Sequence, residues 1–283
     1  VACVLAAVLV DRACLHAAPA PAASRAAAAS NGAAAPTALS AGACQALAPT
    51  GRSRNRTVFV DAGHGGPDPG VTARSPSGAQ LKESTIALAV ATELARLLRA
   101  DGYRVVLSRT ADTSVLRLGN QSAGSLDATQ VRHDLQARIR CADASGAAVL
   151  LSIHFNGYDN PSAGGTQTIY DDARPFAADS ERLARSLQSA LVSRLQRDDR
   201  GVLTDDLLTA PTLSDRAGDY GHLVLLGPPE PGYVDQATSM PGALVEPLFL
   251  TAPPEAAIAS SQTGQHRIAT ALAEGLKTYL TTR

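Results

Sequence analysis

Four polar residues in this 283-residue chain stand at the borders of apolar runs, and their types suit a catalytic metal site. His64 ends the run VFVDAGHGG at 58–66, Glu83 lies in LKES at 81–84, His154 in LLSIHFNG at 150–157, and Glu246 in PGALVEPLFL at 241–250. Two imidazoles and one carboxylate leave a tetrahedral zinc ion with one open position for water. Calcium and magnesium prefer shells made only of oxygen, so this donor set favours zinc. Such an ion lowers the pKa of water towards ~7 and polarises a carbonyl. Glu246 is then free to take the water proton and hand it to a leaving amine.

Each residue also has a plainer reading. Glu83 is a carboxylate at a helix start, where the helix dipole favours it. His154 suits a core histidine bonded to backbone. Glu246 is harder to explain that way, because an unpaired glutamate within GALVEPLFL is costly to bury. His133, His222 and His266 fall in loop or helical contexts and are read as structural or exposed. His222 lies within a long polar connection.

The elements that must position these residues follow from hydrophobic period and turn signals. Strands are expected at 57–62, 103–109, 148–155, 166–170, 223–226 and 243–250, and helices at 85–100, 134–144, 178–196 and 263–280. The first helix should start at Ser84 or Thr85 and bury Ile86, Val90, Leu94 and Leu97. Alternating strands and helices predict an α/β fold: one domain of three αβα layers around a mostly parallel twisted sheet. Ligands of such sheets gather beyond the carboxyl ends of the strands. Two long polar connections, 111–133 and 203–241, are candidate walls or lids over the site. The second directly precedes the Glu246 strand, which predicts that its ends lie near the metal.

Composition narrows the function. A net charge of −1 with no long basic run gives no reason to expect nucleic acid as a partner. Residues 1–10 are apolar but too short to span a bilayer, and they suit the core of a secretory signal. Residues 1–29 are read as a signal-like leader, 30–55 as an Ala/Pro/Ser-rich linker ordered near Cys44 if that residue is tied down, and 56–283 as the catalytic domain. No integral membrane segment is expected. Of the four cysteines, Cys3 and Cys14 fall in the leader, leaving Cys44 and Cys141 as a pair. A pair in an exported chain favours a disulfide. None of the four has zinc-ligand spacing.

The motifs occur in a connected order: VDAGHGGPDPG at 60–70, KES at 82–84, GYRVVLSRTAD at 102–112, DLQARI at 134–139, LLSIHFNG, RGV at 200–202, and PGALVEPLFL. From Val58 to about Leu280 the chain resembles the zinc-dependent N-acetylmuramoyl-L-alanine amidases, the amidase 3 family. The resemblance implies His64, Glu83 and His154 as Zn2+ ligands and Glu246 as the catalytic glutamate. It implies peptidoglycan or muramyl peptides as substrate, cleavage of the amide between N-acetylmuramic acid and L-alanine, and a secreted, periplasmic or cell-wall location. The chain departs from the family pattern in the length of 111–133 and 203–241, and in Ser84, where many members carry lysine. Two alternatives stay open: a zinc peptidase acting within the stem peptide, and a wall-binding regulator with a weak site.

Overall fold

A computed structural model describes residues 38–118, 127–207 and 217–282. The leader expected at 1–29 lies outside them. The strands are β1 (Gln45–Leu47), β2 (Thr57–Ala62), β3 (Thr72–Arg74), β4 (Gln80–Lys82), β5 (Arg104–Leu107), β6 (Leu150–Ile153), β7 (Thr166–Tyr170), β8 (Asp199–Thr204) and β9 (Gly242–Glu246). The helices are α1 (Glu83–Ala100), α2 (Ala128–Ser145), α3 (Ala177–Leu195), α4 (Ala217–Tyr220), α5 (Pro253–Ala259) and α6 (Gln262–Thr281). Seven strands form one sheet in the order β1-β5-β2-β6-β9-β7-β8, and β3 and β4 make a separate hairpin. Strands β5, β2, β6 and β9 run parallel, whereas β7 is antiparallel to β9 and β1 to β5.

Residue alternation along the central strands splits the core into two layers. Val58, Val60, Leu151, Ile153, Ala243 and Val245 pack with α1, α3 and α6. Phe59, Val106, Leu150 and Leu244 face the other way, against α2 and the irregular segment 217–241. The expected three layers are therefore present, but part of the second outer layer is not helical. That segment places Tyr220, Leu223, Val224, Leu225, Leu226, Tyr233, Val234 and Met240 in the core. The strand expected at 223–226 is instead a tight turn, with Gly227 N–H donating to Leu223 O at 2.7 Å. Its apolar run reports burial without a sheet partner.

The connection 203–241 is also not a lid in its described part. Thr204 pairs with Tyr170, and Ile169 pairs with Leu244, so β8 ends level with the start of β9. The connection thus leaves and returns at the edge of the sheet opposite Glu246, about 13 Å away at ~3.3 Å per strand residue.

Several boundaries differ from those the pattern predicts. Helix α1 starts at Glu83 after Lys82, which makes no side-chain cap. It buries Leu98 fully where Leu97 was expected. Helix α2 starts six residues before 134, because Asp127 and Gln130 form a capping box. Strands β1, β3, β4 and β8 were not anticipated. Within the expected linker, 30–55, the chain is already built into the sheet at β1.

Cys44 and Cys141 form a disulfide with Cα atoms 5.5 Å apart, 97 residues apart in sequence. It ties the residue next to β1 to the C-terminal part of α2. Restricting a loop of that size in the unfolded chain stabilises by roughly 4–5 kcal/mol in the chain-entropy model. Reduction, or Cys44→Ala/Cys141→Ala, is expected to lower the denaturant midpoint accordingly. An unchanged midpoint would show that the unfolded chain is compact enough to need no tie.

Candidate metal centre

The sheet register brings the four residues to one edge. Ala62 pairs with Ile153, and Ile153 with Val245. His154 and Glu246 therefore leave adjacent strands side by side, and the His154 N–H donates to Val245 O at 3.0 Å. His64 follows Ala62 by two residues at the same edge. Glu83 reaches it as the first residue of α1.

Three donor atoms converge. His64 Nε2 lies 3.0 Å from Glu83 Oε1, and His154 Nδ1 lies 3.1 Å from both. At zinc bond lengths of ~2.0–2.1 Å the edge of a tetrahedron is ~3.3–3.4 Å. The three atoms thus nearly form one face of such a tetrahedron. The imidazoles are 17 % and 16 % exposed, so the face opens towards solvent while Glu83 is buried. His64, Glu83 and His154 fit a zinc ion in both donor chemistry and spacing.

The surroundings orient these groups. Asp68 Oδ2 accepts from His64 Nδ1 at 2.8 Å, which leaves the Nε2 lone pair free for a metal. Glu83 accepts from Phe155 N at 2.9 Å through Oε1 and from Val71 N at 2.8 Å through Oε2. Burial alone raises the Glu83 pKa, but His64 and His154 beside it hold the carboxyl well below its ordinary value. Burial would lower the His64 pKa, yet Glu83 and then Asp68 raise it well above the usual histidine value.

His64 has φ +60°, a left-handed conformation that costs a non-glycine residue about 1–2 kcal/mol. Two buried arginines hold that turn. Arg138 donates to His64 O at 2.6 Å and Ala62 O at 2.8 Å. Arg109 donates to Ala62 O at 2.9 Å, Gly63 O at 2.8 Å and Ser84 O at 2.7 Å, so it joins the His64 turn to the start of α1. Asp61 and Asp134 balance Arg138 at 2.8 and 2.9 Å. Gly70, at φ +63°, lies so close that a Cβ would sit 2.5 Å from Glu83 Oε2 and 2.7 Å from His64 Cδ2. Asp61, Asp68, Arg109 and Arg138 were not singled out by type and spacing, although all four lie in the motifs quoted above.

Glu246 is buried, and its Oε2 has no hydrogen-bond partner. Burial, and then the Glu83 charge, push its carboxyl up to about 8, against the pull of His64 and Arg200. A bound cation would add its own attraction and bring that value down.

Of the other histidines, His266 pairs with Glu93 at 2.7 Å on the surface. His222 instead joins Asp171 and Asp205 in a second convergent group.

The sequence profile of the amidase 3 family, N-acetylmuramoyl-L-alanine amidase, matches residues 58–278. The chain belongs to this family. Among relatives of this family member, LytC of Bacillus subtilis, an N-acetylmuramoyl-L-alanine amidase, is 30% identical over 223 residues, covering 79% of the chain and 35% of LytC. The germination-specific N-acetylmuramoyl-L-alanine amidase of the same species is 26% identical and covers 80% of each. AmiC of Neisseria meningitidis is 30% identical, covering 82% of the chain and 55% of AmiC. The chain thus spans about a third of LytC and just over half of AmiC. The crystal structure of an N-acetylmuramoyl-L-alanine amidase from Clostridium difficile 630 superposes with a TM-score of 0.59 at 28% identity, covering 82% of this chain and all of that one. CwlD of Clostridioides difficile, solved in complex with the GerS lipoprotein, gives a TM-score of 0.61 at 26% identity, covering 81% and 100%.

Proposed function

We propose that this chain is a zinc-dependent peptidoglycan hydrolase that cuts the amide between the lactyl group of N-acetylmuramic acid and L-alanine of the stem peptide. The observation that carries the reading is the trio of donor atoms 3.0–3.1 Å apart, with buried Glu246 leaving the neighbouring strand, in a chain of this family. His64 Nε2, Glu83 Oε1 and His154 Nδ1 would hold the ion. When bound, zinc acts as a Lewis acid towards a carbonyl and acidifies water.

The chain's own residues do the rest. Glu246 accepts a proton from the attacking water as its oxygen adds to the amide carbon. It then delivers that proton to the nitrogen as the carbon–nitrogen bond breaks, so water ends divided between the lactyl acid and the free amine. Asp68 keeps the His64 tautomer, and Arg109 and Arg138 keep the turn that aims it. A wall substrate and a disulfide both support action outside the cytoplasm. None of the described helices is long and apolar enough to cross a membrane.

The test is mass spectrometry of digested peptidoglycan. Peptides beginning with L-alanine, alongside glycan free of stems, are expected. Shortened stems still attached to glycan would instead identify a peptidase, and an undigested wall a binding protein.

Asp68 gives a second expected outcome. Removing a carboxylate that orients a ligating histidine costs typically 10–100-fold in metal affinity. Asp68→Ala should weaken zinc binding by about that factor in a competition titration with a chromogenic chelator. Wild-type affinity would mean that the glycine turn alone orients the ring.

A further inference from the structure

A second group of metal-type ligands lies at the opposite edge of the sheet. Tyr170 of β7 pairs with Thr204 of β8 in parallel, so Asp171 and Asp205 emerge next to each other from neighbouring strand ends. Both are buried, at 2 % and 0 % exposure. His222, from the segment that returns towards β9, closes over them. Its Nδ1 is 2.8 Å from Asp171 Oδ2 and 3.4 Å from Asp205 Oδ1.

The carboxylates are oriented in the same manner. Asp171 Oδ1 accepts from Ala173 N at 2.9 Å, and Asp205 Oδ2 accepts from Leu223 N at 2.8 Å. Each spends one oxygen on a backbone amide and turns the other towards His222. Asp171 stands within hydrogen-bonding reach of both His222 and Asp205, so the three side chains form one close group. Tyr220 packs edge-on against the His222 ring at 5.4 Å, which fixes its plane.

Two buried carboxylates side by side need positive charge. Arg174, the other cation acting on Asp171, directs its guanidinium at Leu226 O, Gly227 O and Thr238 O. Neither Asp171 nor Asp205 hydrogen-bonds to it. The remaining candidates are a shared proton, a protonated His222, or a cation at the point the three atoms face. A divalent ion matches two carboxylates and a neutral imidazole in charge. The spacings of 2.8 and 3.4 Å bracket the ligand separation around a first-row ion.

We propose that Asp171, Asp205 and His222 bind a second divalent transition cation of the zinc or manganese class. It binds the ends of β7 and β8 to the segment that covers the second face of the sheet. The register puts it four strand residues from Glu246, roughly 13 Å away along the sheet, so it is separate from the first site. The assignment does not depend on the role proposed for His64.

Native mass spectrometry of the full chain in excess zinc tests it. The His64→Ala protein, impaired at the first site, should carry one ion, and His64→Ala/His222→Ala none. A His64→Ala protein without an ion overturns the proposal, as does a double variant that keeps one. Should His222→Ala fail to fold by circular dichroism, Asp171→Asn replaces it, since it keeps the shape and the bond from Ala173 N. The wild-type chain, which needs no substitution, should carry two ions. A wild-type chain with a single ion that His64→Ala abolishes overturns the second site. A single ion that His64→Ala retains overturns the reading of the first site and supports the second.

Discussion

Glu246→Gln is expected to keep its zinc and lose turnover by about 10²–10⁴-fold, the usual share of general acid–base catalysis. The substitution preserves shape, and the carboxyl it replaces has one oxygen with no hydrogen-bond partner. The three donor atoms of His64, Glu83 and His154 remain in place. By contrast, His64→Ala and His154→Ala each remove a corner of the donor triangle and should lose ion and activity together. Metal content and initial rates on a defined muropeptide separate the cases. Near-normal turnover with zinc retained would remove Glu246 from the chemistry. Loss of zinc would make it a ligand or a support of the site.

A large effect on stability is also expected at Arg138. It is buried among Asp61, Asp134 and the carbonyls of Ala62 and His64. Arg138→Met fills similar space but leaves two carboxylates without their cation. Removing one partner of a buried pair costs about 3–5 kcal/mol. For a domain of this size that lowers the melting temperature by on the order of 10 °C. Adding Asp61→Asn should recover part of the loss, and no recovery would place the damage in packing instead.

The pH dependence has a definite sign. Burial alone would raise the Asp61 pKa, but Arg138 and then Ser152 hold it at about 2, below its ordinary 3.8. Its contribution, roughly 2 kcal/mol from that shift, is present above pH ~4 and fades as pH falls through about 2. Acid unfolding of Asp61→Asn should lack this component.

Much of the candidate site was legible because its residues interrupt strongly patterned elements. Strands β2, β6 and β9 read as apolar runs, and His64, His154 and Glu246 border them at the edge where ligands of such sheets gather. β7 was read with the bounds observed. β3 and β4 were missed because three-residue strands, TAR and QLK, are too short to carry a period. β8 was missed because DRGVLT is half-buried at a sheet edge. The first turns of α2 were missed because His133 and Arg132 obscure the stripe that Asp127 nonetheless caps. Arg109 and Arg138 show a different obstacle. Arg109 directs its hydrogen bonds at backbone carbonyls, which carry no sequence signature, and Arg138 adds to its carbonyl bonds a partner, Asp61, 77 residues away that only the fold brings near. The Asp171, Asp205 and His222 group spans 51 residues and depends on the register of two strands, one of which was not foreseen.

The disulfide has a consequence in geometry as well as in energy. Cys141 lies three residues beyond Arg138, less than a helical turn, on the helix that grips the carbonyl of His64. Cys44 adjoins the outermost strand. The bridge therefore clamps the helix that holds the left-handed turn in place. With the thiols free, that helix is held by its packing and by the ion pairs and hydrogen bonds of Arg138. The bridge thus adds a covalent tie, through α2, to the turn that carries His64.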